Sequence, residues 1–130
     1  MKTKKIEQEV EFRASPHEVY EALMDSKKHS GLTGSKCVVS REIRGKISCY
    51  DGYIEGRNLE LVPDTKIVQE WRASEWPQGH YSRATFEFKK TSSGTMLRFT
   101  QTGVPEEFFD DIFSGWHEHY WEKMKEMLEA

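Results

Sequence analysis

The C-terminal stretch constrains this chain more than any other feature. Phe109, Ile112, Phe113, Trp116, Tyr120, Met124 and Met127 recur at steps of three and four, the period of a helix with one apolar side. Asp110, Glu118, Glu122, Lys123 and Glu126 lie mostly off that stripe. Glu106, Glu107, Asp110 and Asp111 crowd its start, where carboxylates favour the positive end of the helix dipole. Unbroken from Pro105 onward, ~24 residues at ~1.5 Å each give a rod of roughly 36 Å. A break near Ser114-Gly115 would shorten it, since glycine inside a helix costs ~1 kcal/mol. So bulky a stripe needs one large apolar surface to pack on.

The preceding residues offer that surface as β-structure. Over 5–13, Ile6, Val10 and Phe12 share one face with Gln8, while Lys5, Glu7, Glu9, Glu11 and Arg13 share the other, the alternation of a strand with one wet side. Ser15-Pro16-His17-Glu18 reads as a capping box with proline at the first helical position. A short helix follows, with Val19, Tyr20 and Leu23 inward, ending near Asp25-Ser26. A second short turn runs through Lys27, Lys28 and His29, and Gly31-Leu32-Thr33-Gly34 is expected to be loop. Strands are then expected at Lys36–Ser40, Ile47–Tyr50, Tyr53–Leu61, Ile67–Ala73, around Ala84, Phe86 and Phe88, and around Leu97 and Phe99. Turns at Asp51-Gly52, Pro63-Asp64 and Ser92-Ser93-Gly94 separate them, with a longer loop over 74–80. Asp-Gly between strands predicts a type I′ turn, with positive φ at both central positions. The expected fold class is α+β, in one domain over 1–130: a curved antiparallel sheet wrapped around a long C-terminal helix, with two short helices after the first strand.

Composition narrows the function classes. Seven Phe, five Tyr and four Trp are too many for a disordered chain. A net charge of -3 and no basic run beyond Lys2-Thr3-Lys4-Lys5 leave nothing to drive nucleic-acid binding. No apolar run approaches the ~20 residues of a membrane-spanning helix, and no secretory signal stands at the start, so a cytoplasmic location is expected. Cys37 and Cys49 have neither metal-ligand nor redox spacing and are expected reduced and free. A hairpin across 41–45 would nevertheless set them face to face, within bridging reach. A mixed metal site there would need further ligands, which the spacing does not supply.

No metal or other cofactor is expected elsewhere. His117 and His119 lie two apart, ~200° around a helix, so they cannot chelate one ion, and the His-Glu-x-x-His spacing is absent because position 121 is Trp. His17, His29 and His80 fall in polar segments and are expected in solvent. No nucleophile elbow, Gly-rich phosphate loop or nucleotide fingerprint occurs, so the chain is expected not to be an enzyme. Arg72, near a strand end, is expected in an ordinary exposed cross-strand pair. The candidate ligand-binding residues are Trp71, Phe86, Phe99, Phe113, Trp116, Tyr120 and Met124, around an apolar cavity between final helix and sheet. A helix with such uneven relief seldom closes on a curved sheet without a gap, and ~300 Å³ would admit a small molecule. Trp121, beside the main stripe, fits surface or interface exposure equally well.

Specific words carry a resemblance. The order of elements is similar to the helix-grip arrangement of the birch-pollen-allergen and lipid-transfer superfamily. Asp51-Gly52-Tyr53-Ile54-Glu55-Gly56-Arg57-Asn58-Leu59-Glu60-Leu61-Val62-Pro63 resembles the C-terminal domain of activators of the heat-shock-protein-90 ATPase. So do Lys66-Ile67-Val68-Gln69-Glu70-Trp71-Arg72, Thr100-Gln101-Thr102-Gly103-Val104-Pro105-Glu106-Glu107 and Gly115-Trp116-His117-Glu118-His119-Tyr120-Trp121. The resemblance runs from about Glu11 to Leu128. It implies a helix-grip fold and two functional expectations: binding of a small apolar molecule or partner protein, or co-chaperone action on heat shock protein 90. Eukaryotic activators of this family carry a separate N-terminal domain, which is not expected within these 130 residues, and that expectation favours ligand binding. Leu32 stands where many members place an aromatic residue before Thr33-Gly34, a change expected to reshape the cavity mouth.

Overall fold

A computed structural model describes residues 1–129. Strands β1 (Thr3–Phe12), β2 (Cys37–Val39), β3 (Lys46–Cys49), β4 (Ile54–Val62), β5 (Lys66–Ala73), β6 (Ser82–Lys90) and β7 (Thr95–Pro105) form one curved sheet. Its order is β1-β7-β6-β5-β4-β3-β2 with every pair antiparallel. The alternation expected over 5–13 is present in β1, where Ile6, Gln8, Val10 and Phe12 are buried between exposed neighbours.

Helix α1 (Pro16–Met24) starts on the expected capping box, Ser15 Oγ accepting from the Glu18 amide and the Glu18 carboxylate accepting from the Ser15 amide. Helix α2 (Ser26–Thr33) corrects the expected loop. Gly31 and Thr33 are poor helix formers, but three local interactions override them. Asp25 caps the N-terminus through the Lys28 amide, Leu32 and His29 are buried, and Gly34 ends the helix at φ +72°. Between β3 and β4, Asp51 and Gly52 have φ of +55° and +89°, and the Tyr53 amide donates to the Tyr50 carbonyl, as a type I′ turn requires. Tyr50 also has positive φ, +54°, a rare state for a bulky residue.

The final helix occupies residues 109–128 after a 3₁₀ turn at Glu106–Phe108. Gly115 does not break it. A π-helical turn, Trp116–Trp121, instead joins α3 (Phe109–Gly115) to α4 (Glu122–Leu128). The wider turn rotates Trp121 inward beside Trp116 and Tyr120, leaving it 2% exposed. An ideal 3.6-residue period leaves Trp121 off the stripe; the π turn puts it on.

Candidate functional site

The helix makes two different contacts with the sheet. Over β1, β7 and β6 it is sealed. Trp116 lies 4.4 Å from Phe99 and stacks on Trp121 at 5.5 Å with planes 20° apart, while Phe86 meets Phe99 at 5.0 Å. Both indole N–H groups are tethered: Trp116 donates to Gln101 Oε1 at 2.8 Å, and Trp121 to Gln8 Oε1 at 2.7 Å. Gln8 in turn donates to the Phe113 carbonyl at 3.0 Å, and Gln101 to Ser82 Oγ at 2.8 Å. These two glutamines occupy core positions because tryptophan needs an acceptor when buried.

Over the β3–β4 hairpin the contact opens. A cleft of about 600 Å³ lies between the hairpin and the helix. Tyr50, Tyr53 and Ile54 form its sheet side, Ile112, Gly115 and His119 its helix side, and edges of Trp71, Trp116 and Tyr120 its floor. Trp71 reaches this position because β4 and β5 approach closely at Gly56. A Cβ there would stand 1.8 Å from the Glu70 carbonyl oxygen. Asp111 and Glu118 put carboxylates on the rim. The Tyr50 hydroxyl is buried without a partner, and burial raises its pKa. Tyr53 donates to Glu75, and that bond, with some burial, pushes its pKa up to about 12.

Beneath the floor lies a void of only about 20 Å³, bordered by His29, Cys49, Trp71, Phe86, Trp116 and Tyr120. One water-sized group would fill it. The interior between helix and sheet is therefore packed, and the open space lies at its side. Of the expected ligand-binding residues, the structure brings Trp71, Trp116 and Tyr120 to the cleft. Phe86 borders the small void only, Phe99 and Met124 are fully buried away from the cleft, and Phe113 sits 37% exposed beside Phe109 and His117.

Two expectations about polar groups are corrected. His29 is buried, not in solvent. Its Nδ1 lies 3.0 Å from the Leu23 carbonyl and its Nε2 2.8 Å from the Tyr120 hydroxyl. A carbonyl only accepts, so Nδ1 carries the proton and Nε2 presents a lone pair to the phenol. Burial lowers the His29 pKa, which keeps the ring neutral, and burial raises that of Tyr120, which keeps the phenol protonated. Cys37 and Cys49 are not free. They pair directly across β2 and β3 and are joined as a disulfide, Cα atoms 4.2 Å apart. The hairpin across 41–45 supplies the facing geometry. Loop 40–45 is fixed by buried Asn58, which donates to the Ser40 and Glu42 carbonyls. Arg72 does pair across strands, with Glu55 at 3.4 Å, but it also donates to the Trp76 carbonyl at 2.8 Å and is largely buried.

A seven-stranded antiparallel sheet gripping one C-terminal helix, open at the side, defines a helix-grip domain. The profile of the family described as "Activator of Hsp90 ATPase homolog 1-like protein" matches residues 13–129, and the chain belongs to that family. It is 34% identical over 124 residues to an "Activator of 90 kDa heat shock protein ATPase homolog" of Dictyostelium discoideum, covering 95% of this chain and 32% of that protein. It is 29% identical to the human homolog 1, covering 88% of this chain and 34% of the human protein. The chain thus spans about a third of the curated relatives it matches. Among solved structures, an HSP90 activator from Plasmodium falciparum superposes with a TM-score of 0.85 at 24% identity, covering 98% of this chain and 96% of that one. At that identity the likeness speaks for the fold alone. None of the described helices is long and apolar enough to cross a membrane.

Proposed function

We propose that this chain is a non-enzymatic regulatory domain of its family that binds a small apolar molecule in the cleft beside the β3–β4 hairpin. The supporting observation is a concave space of about 600 Å³, floored by the edges of Trp71, Trp116 and Tyr120, the size and lining of a small-molecule site. The unpartnered Tyr50 hydroxyl supplies an orienting donor. Carboxylates of Asp111 and Glu118 on the rim disfavour anions, so the ligand is a neutral or cationic aromatic rather than a fatty acid. Heat shock protein 90 is a further candidate partner. Nile red and a neutral flavonoid, titrated while tryptophan emission is followed, should bind saturably, and Trp116→Phe should weaken both without loss of folding. Laurate should bind less well. Absence of binding at millimolar flavonoid would remove this reading.

A second reading is favoured by the names of the relatives: stimulation of the heat-shock-protein-90 ATPase. Adding the chain to that chaperone and measuring ATP turnover decides it. A turnover unchanged at saturating chain would leave the cleft as the functional feature.

A further inference from the structure

The Cys37–Cys49 pair and His29 meet at one buried point beneath the cleft, although they come from two strands and a helix. Their donor atoms lie within 4.8 Å of one another, all three residues buried. Cys49 Sγ is 3.6 Å from His29 Nε2. Tetrahedral zinc, with Zn–S of about 2.3 Å and Zn–N of about 2.05 Å, sets sulfur and nitrogen roughly 3.6 Å apart. His29 is also held as a ligand must be. Its Nδ1 proton is anchored on the Leu23 carbonyl, which leaves the Nε2 lone pair facing the cysteines and Tyr120, the second-shell arrangement that orients metal-bound imidazole. A small void of about 20 Å³ also borders His29 and Cys49.

We propose that the reduced chain binds one thiophilic d10 cation, Zn²⁺, through Cys37 Sγ, Cys49 Sγ and His29 Nε2. Two equivalents of a low-molecular-weight thiol, or one of a dithiol reductant, supply two electrons and two protons. The disulfide opens to two thiols, and the reductant leaves as its own disulfide. Zinc then displaces both thiol protons. Two thiolates balance the dication, so the buried site gains no net charge, which is the condition for burying charge cheaply. The cation also takes the lone pair that now accepts from Tyr120. The phenol, 2.8 Å from that nitrogen, is left beside the open fourth position, on the floor of the cleft.

Anaerobic titration of phosphine-reduced chain with Co²⁺ should give thiolate-to-cobalt charge-transfer absorption saturating at one equivalent, lost on adding Zn²⁺. Competition with a chromophoric chelator should then show zinc bound at least ~10-fold more weakly by His29→Gln, Cys37→Ser and Cys49→Ser. The same chain, oxidised and unmutated, should bind neither ion, a control that does not depend on any variant folding. Equal zinc affinity of reduced and oxidised wild type would overturn the proposal, as would an affinity unaffected by His29→Gln in a variant with native circular dichroism. Apolar-dye binding at the cleft is measured separately in the oxidised chain, so either idea fails without the other.

Discussion

The two halves of the sheet treat the same helix in opposite ways. Against β1, β7 and β6 it meets Phe99, Phe86 and two glutamine acceptors, and Trp116 and Trp121 close the space. Against the β3–β4 hairpin it meets tyrosines at a turn with three successive positive φ values, and a cleft of about 600 Å³ remains. One half spends its aromatic surface on stability, and the other leaves aromatic edges for something else to cover. The packed half fixes the helix so that Tyr120 and Trp116 can stand at the cleft without support from the hairpin.

Truncating one residue in each half breaks or confirms this contrast most directly. Trp121→Ala removes a 2%-exposed side chain from the sealed half, and the expected loss is about 3–5 kcal/mol. Tyr53→Ala, at the cleft, should cost less than ~1 kcal/mol, since the side chain is 40% exposed. Urea midpoints for both variants measure the difference. Equal losses would mean that the helix is held as firmly at the hairpin as on β7.

The tethers come next. Gln8→Leu keeps the volume of β1's inner face but strands the Trp121 indole N–H, whose acceptor is Gln8 Oε1. A buried donor left unpaired costs about 1–3 kcal/mol. Denaturation followed by tryptophan fluorescence checks this, because the same indole reports its environment. A Gln8→Leu chain as stable as wild type would mean that Trp121 packs by area alone.

The hairpin is tested at its turn. Gly52 has φ +89° and open space where a side chain would point, so Gly52→Val is opposed by backbone conformation alone. The expected cost is ~1–3 kcal/mol, with a larger loss of cleft binding than of core packing. Near-ultraviolet circular dichroism of the packed tryptophans should survive, while Nile red binding falls.

Local signals made much of this legible. The β1 alternation, the Ser15–Glu18 box, Asp51-Gly52 and the apolar stripe of the final helix each follow from a few adjacent residues. What was hidden needed a change of period or a long-range meeting. A 3.6-residue period sets Trp121 beside the stripe; the π turn is the reason it is buried. Gln8 on the apolar face of β1 was the available signal, since a glutamine there needs a buried donor. The α2 helix was hidden by Gly31 and Thr33, whose weak propensity is outweighed by the Asp25 cap and by burial of His29 and Leu32. His29 itself stands among Lys27, Lys28 and Ser30, neighbours that predict a solvated side chain. Only the sheet edge brings Cys37 and Cys49 to it. The side cleft was hidden for a related reason: the stripe shows that a helix packs, not over which strands it packs well.

The smallest expected effect lies on the open side and is set by pH. Tyr53 donates to the Glu75 carboxylate, and its folded pKa stands near 12 against an ordinary value of 10.0. A phenol with a raised folded pKa favours the folded state wherever it is protonated. That contribution is complete below about pH 10, the unfolded pKa, and is lost as pH rises toward 12. In that window the unfolded chain has released the Tyr53 proton while the folded chain still holds it, so unfolding releases protons and alkali favours it. Tyr20, Tyr50 and Tyr120 are shifted upward too, chiefly by burial, so wild type should lose stability above pH 10 for several reasons. The difference between wild type and Tyr53→Phe isolates the single bond. Because Tyr53 is 40% exposed, solvent screens the pair and the difference should be small. It should appear as a slightly shallower alkaline decline in the variant's urea midpoint between pH 10 and 12. If the two declines are parallel, the Tyr53–Glu75 bond does not hold in solution, and the hairpin side of the cleft is looser than the helix side by more than packing alone implies.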